Sequence, residues 1–529
     1  MVHKFGGTSV GSIDAIRRVK RIVEAAAAGG DRIAVVVSAM GGKPKVTDIL
    51  ISLVALALRG DVQGYEASLE RLRTRHFEVI EELVPESVWA VLKQQVDSGI
   101  EDLRHILKAV TVLKLAEARI MEIVSGHGEL WTAQIVAAVL SAGGTEYKFL
   151  DARRVMMVDA PDESTCDVLW DESAKRLDAF MNRDDAALME LSLSAKETSI
   201  KSPRPRAASN PSPRPPKSPP GRDTSRLKWS VSHLVMTGFI ASTMDGVMTT
   251  LKRDGSDYSA SILGKLLAAE SVTIWTDVSG VMSADPRRVA DAKQVEEMTY
   301  NEAMELAYFG AKVVHPKTMG PPMSAGIPVY IRNTFESDHP GTRIGVVETD
   351  ATPSPDTDLT DLSKPLKLAS GTGVVRGLSN VDGLAMFNLE GCGLKGVPGT
   401  ATRLFAALHR VSVNVIFIAQ ASSEHSICFA IPAEEADAAQ ASIEEEFYRE
   451  LHNDLVQPIT FQSPVSIIAA VGDQMNNFVG VSGRFFGALG QAGVNVLAIS
   501  QGSSQRNISA VVHQDDAPKA LQALHSKLC

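Results

Sequence analysis

Short continuous apolar runs alternate with helical-period stretches through the first 345 residues. Val2 to Phe5 suits a strand; after Gly6-Gly7-Thr8-Ser9 come Ile13, Ile16, Val19, Ile22 and Val23 at helical spacing, with Thr8 or Ser9 the expected cap. Ile33 to Val37 reads as a buried parallel strand ending in Ser38-Ala39-Met40-Gly41-Gly42, and Thr47-Asp48 is expected to cap the helix whose apolar run begins at Ile49. From Gly60 to Met121 the period stays helical, which predicts an antiparallel helical excursion. Ser125-Gly126-His127-Gly128-Glu129 is expected to open a further helix, with His127 in the turn and Glu129 in the first helical turn. A strand at Tyr147 to Leu150, a helix from Asp171 to Met181, and strands at His233 to Met236 and Val272 to Trp275 continue the alternation. Between the last two strands lies a helix bearing Ile262, Leu263 and Leu266, which Ser256 or Asp257 would cap. Such alternation predicts an α/β fold on a mainly parallel sheet.

The last third follows another rule. An ungapped shift of 81 residues pairs Gly399 with Gly480, Arg403 with Arg484, Phe405 with Phe486, Asn414 with Asn495, Gln420 with Gln501 and Ile427 with Ile508. Each copy reads as strand, loop, amphipathic helix, strand, turn, strand, so a small α+β module is duplicated. Gly391-Cys392-Gly393-Leu394-Lys395-Gly396 spells GxGxxG, but its counterpart 81 residues on keeps only the first glycine. A turn fits both copies better than a dinucleotide fingerprint does.

Composition narrows the function classes. The 529 residues are 44% hydrophobic and 22% charged, as in globular proteins, and exceed one ordinary core. A net charge of -10 disfavours general binding to nucleic acid or anionic membrane. The four cysteines are far apart and the twelve histidines show no ligand spacing, so neither a disulfide framework nor a metal site is indicated. No run is long and apolar enough to span a bilayer, and no signal peptide is expected before the first strand. Residues 192–230 are basic and proline-rich, so a disordered surface insert is expected there.

Several strand ends carry glycine-rich or polar turns before helices: Lys4-Phe5-Gly6-Gly7, Lys252-Arg253-Asp254-Gly255-Ser256-Asp257, and Thr276-Asp277-Val278-Ser279-Gly280. Bare backbone beside a helix start cradles anions, and parallel sheets bind ligands at the strands' carboxyl ends. Lys4 precedes its glycines, which excludes a Walker A loop.

The motifs KFGGTSVGS, GFIAS, LKRDGSDYSAS, IWTDVSGV, ADPR and YFGAKVVHP together resemble the aspartate kinases of the amino-acid-kinase fold. The LKRDGSD form is most similar to the kinase half of plant-type bifunctional aspartokinase/homoserine dehydrogenases. The resemblance covers nearly all the chain outside the insert. It implies a three-layer αβα catalytic domain at 1–345, a linker at 346–367, and ACT modules at 368–455 and 456–529. The activity implied is transfer of the ATP γ-phosphoryl group, with Mg²⁺, to the side-chain carboxylate of L-aspartate. Lys4 and Asp257 would be catalytic. Ser38, Thr47, Glu129, Arg253 and Ser256 would bind aspartate, with Arg253 on its α-carboxylate and Glu129 on its ammonium. Lys4, Gly6, Gly7, Thr8, Thr276, Asp277, Met282, Arg287, Lys312 and Val313 would hold the nucleotide, directly or through Mg²⁺, for which no protein ligand is assigned. Met282 departs from the tyrosine that many relatives place there. Gln420 and Gln501 would serve an amino-acid effector, threonine being the expected one, and the ACT modules would pair two subunits. A plant-type lineage implies the plastid stroma, otherwise the cytoplasm. Dehydrogenase activity is not expected from these 529 residues. Two alternatives stay open, a relative acting on another acceptor and an amino-acid sensor without turnover.

Overall fold

The computed structural model describes residues 1–160, 166–184, 186, 230–310, 314–347, 373–394, 397–420, 426–502 and 506–529. Residues 192–229 of the proline-rich stretch, 348–367 of the linker, and Lys312 and Val313 lie outside them. The chain forms two compact units, Met1–Val281 with Lys317–Val346, and Met282–Pro316 with Val347–Cys529. Among the described residues no helix is long and apolar enough to cross a membrane.

In the first unit the strands are β1 (Val2–Phe5), β2 (Ala34–Val37), β3 (Tyr147–Leu150), β4 (Met157–Asp159), β5 (Asp167–Val168), β6 (His233–Thr237), β7 (Ile240–Thr243), β8 (Met248–Thr250) and β9 (Val272–Thr276). The second unit supplies β10 (Glu297–Thr299), and the first resumes with β11 (Val329–Asn333) and β12 (Thr342–Gly345). The central sheet of the first unit runs β12-β11-β9-β1-β2-β6-β3, parallel except for β12. Its central strands β1 and β2 are buried along their whole length, as strands covered on both faces must be. A smaller sheet, β5-β4-β7-β8, stands beside it.

The helices of this unit are α1 (Ile13–Ala27), α2 (Val46–Arg59), α3 (Val62–Leu83), α4 (Trp89–Leu113), α5 (Ala118–Ser141), α6 (Trp170–Met181) and α7 (Gly255–Leu266). The expected elements are present, but their ends differ. Ser12 caps α1 by accepting from Ala15 N at 3.2 Å, because Thr8 and Ser9 are spent in a 3₁₀ turn, Gly7–Val10. Lys45 and Asp254 stand at the starts of α2 and α7, which places Thr47, Ser256 and Asp257 inside first turns and not at caps. Ser125 to Glu129 begins nothing: it lies in the middle of α5, and His127 is a buried helical residue bonded to Ile123 O at 2.9 Å. Gly126 and Gly128 serve packing there, since a Cβ on the first would fall 2.0 Å from Met248 Cε and on the second 2.7 Å from Ala39 Cβ.

The second unit takes α8 (Tyr300–Tyr308) from the middle of the chain, while α9 (Pro316–Ala325) leads back to the first. It is then built on one antiparallel sheet, β14-β15-β13-β16-β18-β17. Module one is β13 (Gly377–Glu390), α10 (Thr400–Arg410), β14 (Phe417–Gln420), β15 (Ser426–Pro432) and α11 (Ala436–Glu446), followed by the short α12 (Tyr448–His452). Module two is β16 (Thr460–Val471), α13 (Val481–Gln491), β17 (Ala498–Ser500), β18 (Asn507–His513) and α14 (Ala517–Leu528). The closing helices α11 and α14 extend the expected repeat unit and also start 81 residues apart. Ala436, Ala439 and Ile443 carry the buried helical stripe in the first copy, but small residues and three glutamates mask it in the sequence. The spelling at Gly391 opens a 3₁₀ turn, Cys392–Leu394, and a Cβ on Gly391 would meet Leu455 O at 2.2 Å.

Candidate active site

The site of the first unit starts from Lys4, which reaches Asp257 in the first turn of α7 at 2.5 Å, both side chains nearly buried. An acid at a helix start is favoured by the exposed N–H groups there. Around this pair the carboxyl ends of β1, β2 and β6 are drawn together by backbone bonds, Ser38 N to Phe5 O at 3.1 Å, Gly41 N to Gly7 O at 2.8 Å and Gly238 N to Val37 O at 2.8 Å. Only glycine tolerates this approach: a Cβ on Gly41 would lie 2.3 Å from Gly7 O, and one on Gly238 would lie 2.7 Å from Ser256 Cβ. Gly6 sits beside the Lys4 ammonium, 3.3 Å from where its Cβ would be. Ser9 is pinned below by a 2.6 Å bond to Thr334 Oγ1 beyond β11, a partner no local pattern signals.

Glu129 is 4% exposed; its Oε1 accepts from Ala39 N at 3.2 Å and its Oε2 has no hydrogen-bond partner. Burial pushes its pKa up to about 8. A half-satisfied buried carboxyl lacks a donor, which a ligand cation supplies. Thr47 follows Val46, whose N donates to Met40 O at 3.0 Å.

Arg253 is 86% exposed, and among the described residues its one ion pair is with Asp254, at 3.8 Å, which leaves most of the guanidinium in solvent. Its backbone is not loose. Lys252 and Asp254 on either side have φ of +65° and +53°, and Phe239, which accepts from Leu251 N at 2.7 Å, has +66°. Such strain persists only where neighbours hold it. Glu122 holds it here, accepting from Thr249 Oγ1 at 3.0 Å and Thr250 Oγ1 at 3.4 Å and pairing with Lys252. Glu122 was not singled out from sequence, although it lies two helical turns before Glu129 on the same helix.

At the end of β9, Thr276 Oγ1 donates to Asp277 Oδ1 at 3.2 Å, and Asp277 is exposed. Thr8 is exposed in its turn. The first unit therefore brings together Lys4, Gly6, Gly7, Ser38, Glu129, Ser256 and Asp257, with Arg253 at an open edge. Met282 and Arg287 belong to the second unit. Met282 bridges to Gln294 there, and the exposed Arg287 forks onto Asp285 at 2.6 Å, holding that carboxyl below its usual range.

In the second unit Gln420 ends β14, exposed, beside a 380 Å³ pocket that it lines with Val397, Gly399, Thr400 and Ile427. Gln501 is exposed just after β17. Among the described residues no three His, Cys, Asp or Glu side chains gather as a metal site. The lysine, bare amides and helix start of the first unit fit phosphate oxygens, so a divalent ion would arrive on the phosphates.

Comparison with known proteins shows which families the two parts of the chain match. The sequence pattern of the amino acid kinase family matches residues 1–189 and 224–333, and that of the ACT domain matches 387–447 and 468–528. The bifunctional aspartokinase/homoserine dehydrogenase 2, chloroplastic, of Arabidopsis thaliana is 38% identical over 526 residues, covering 99% of this chain and 50% of that protein. The aspartokinase of Schizosaccharomyces pombe is 28% identical, covering 100% of this chain and 92% of that protein. The crystal structure of E. coli aspartokinase III with aspartate and ADP, in the R-state, superposes with a TM-score of 0.69 at 25% identity, covering 100% and 99%. The chain spans about half the length of the bifunctional relatives it matches.

Proposed function

From a chain that belongs to the amino acid kinase family, with ACT domains after the kinase part, we infer an aspartate kinase that makes 4-phospho-L-aspartate from L-aspartate and ATP. The observation that carries this reading is the Lys4–Asp257 pair among glycine turns, with the half-satisfied carboxyl of Glu129 behind it.

The acceptor carboxylate, with an ordinary pKa of about 3.9, is already ionised at neutral pH, so no base is required. The obstacle is the approach of two anions. One carboxylate oxygen bonds to the γ-phosphorus while the bond to the β-phosphate oxygen breaks, and ADP leaves with that electron pair. Lys4 neutralises the oxygens of the group in flight, with Asp257 orienting its ammonium. The amides of Gly6 and Gly7 take phosphate oxygens. Mg²⁺, when bound with the nucleotide, supplies the remaining neutralisation of the phosphates. Arg253 forks onto the α-carboxylate and Glu129 meets the α-ammonium, which leaves the reacting carboxylate free. Ser38, Thr47 and Ser256 complete the aspartate pocket, and Thr8, Thr276 and Asp277 the nucleotide site.

An amino-acid effector, threonine in this reading, binds at Gln420 and Gln501 and inhibits by favouring a less active state of a dimer paired through the ACT modules. The plastid matches the chloroplastic relatives. We place the domain bounds at 1–345, 368–455 and 456–529. A coupled assay of ADP release, with and without L-aspartate and then with threonine or lysine, tests the reading. Aspartate-dependent ADP release supports it, whereas effector binding with no turnover on any acceptor would reduce the chain to a sensor.

A further inference from the structure

The sheet face opposite Lys4 carries a second set of groups. Side chains alternate along a strand, so His3 points away from the Lys4 side. On the same face, Thr273 of β9 and Tyr330 of β11 stand in register with His3, and Trp275 and Arg332 in register with Phe5. These residues, with Arg18 and Arg21 of α1 and Phe335 after β11, line a groove of 870 Å³. That volume is within the range of about 300–1,000 Å³ typical of small-molecule sites.

The floor of the groove holds an unspent donor. Trp275 Nε1 can only donate, and it donates to His3 Nδ1 at 3.0 Å, so the imidazole proton is on Nε2. His3 is 5% exposed, and Nε2 has no hydrogen-bond partner. Burial pushes the ring's pKa down to about 4, which keeps it neutral. A buried N–H without an acceptor is destabilising, and a ligand oxygen removes that cost.

The walls hold guanidiniums laid on rings. Arg18 lies over Phe335 at 5.1 Å, and Arg332 over Tyr330 at 5.5 Å and Trp275 at 6.0 Å. Among the described residues neither Arg18 nor Arg21 makes an ion pair. Glu270 and Asp338 also line the groove and offset part of this charge, which disfavours a polyphosphate. An inorganic ion would leave most of the groove to water.

We propose that this groove binds a small organic anion, a phosphate or carboxylate joined to a planar ring and about the size of a nucleoside monophosphate. The anion is taken by Arg18, Arg21 and Arg332, the ring by Tyr330 and Phe335, and one acceptor atom by His3 Nε2–H.

Calorimetric titration of the full chain with adenosine 5′-monophosphate, adenosine and inorganic phosphate tests it. The monophosphate is expected to bind with a Kd of about 1 mM or below, and each fragment at least about tenfold more weakly. Arg18→Ala and Arg332→Ala, both partly exposed and checked for an unchanged melting curve, are each expected to weaken binding about tenfold with kinase turnover preserved. Lys4→Ala should leave this binding intact. Absence of heat with the monophosphate up to about 10 mM overturns the proposal. Binding lost in Lys4→Ala but kept in Arg18→Ala also overturns it, because the ligand would then occupy the phosphoryl-transfer pocket.

Discussion

The proposed phosphoryl-transfer pocket and the proposed effector sheet are built on opposite plans. The pocket gathers different groups from several strand ends and helices, holds Phe239, Lys252 and Asp254 at positive φ, and leaves a glutamate half-satisfied. The effector sheet uses one pattern twice, with Gly399 and Gly480 both at φ +89° before α10 and α13 and with closing helices at the same offset. Groups present once cannot substitute for one another, whereas duplicated groups can share a task. Loss of function should therefore be steep in the first region and graded in the second.

The sharpest test is Lys4→Ala, for which we expect turnover to fall by about three orders of magnitude or more while calorimetric threonine binding is unchanged. Turnover near that of the parent would remove Lys4 from the reaction. Next in size, Glu129→Gln should raise the aspartate KM about ten- to a hundredfold with a smaller change in kcat. Its pH signature is specific. Because folding lifts this carboxyl from 4.5 to about 8, the folded protein keeps a proton that the unfolded chain has lost. The stability contribution therefore declines as pH rises from 4.5 to 8 and is constant above. Aspartate affinity should improve over the upper part of that window, as Glu129 ionises to meet the ammonium. In denaturant titrations at pH 9 the glutamine variant should be at least as stable as the parent, and a less stable variant would mean that Glu129 is a structural group.

Smaller effects are expected in the duplicated region. Gln420→Ala and Gln501→Ala should each shift the threonine inhibition curve about two- to tenfold, and the double variant should shift it further. An unmoved curve in both single variants would take the glutamines out of the effector site. The smallest effect belongs to Arg403, paired with Glu446 and Glu450 at 3.0 and 2.6 Å on a part-exposed face. Arg403→Ala should change stability by no more than about 1 kcal/mol.

What was legible in the sequence was what neighbouring residues encode. The strand-turn-helix units around Gly6-Gly7 and Asp257 and the 81-residue duplication follow from sequence pattern. Helix starts were misjudged where two suitable caps compete, as with Ser9 and Ser12, because the outcome depends on Thr334 claiming Ser9 from the far side of the sequence. The glycines of α5 looked like breaks because their reason, the closeness of Met248 and Ala39, is tertiary. Glu122 was invisible for the same cause, since its three partners lie more than a hundred residues away.

The stretch Met282–Pro316 has a covalent consequence. It is fastened to module two by Glu302, which accepts from Asp473 N at 2.9 Å, by Asn507 donating to Glu305 at 2.6 Å, and by Ala284 and Val289 in the core beneath α13 and α14. The backbone thus passes from one body to the other at Val281, at Pro316 and again at Val346. A stop codon placed after Val346 would not yield a free-standing catalytic half. It would strand thirty-five residues without the module-two groups that hold and cover them, and such a fragment should aggregate unless the loop from Met282 to Pro316 is excised with the rest.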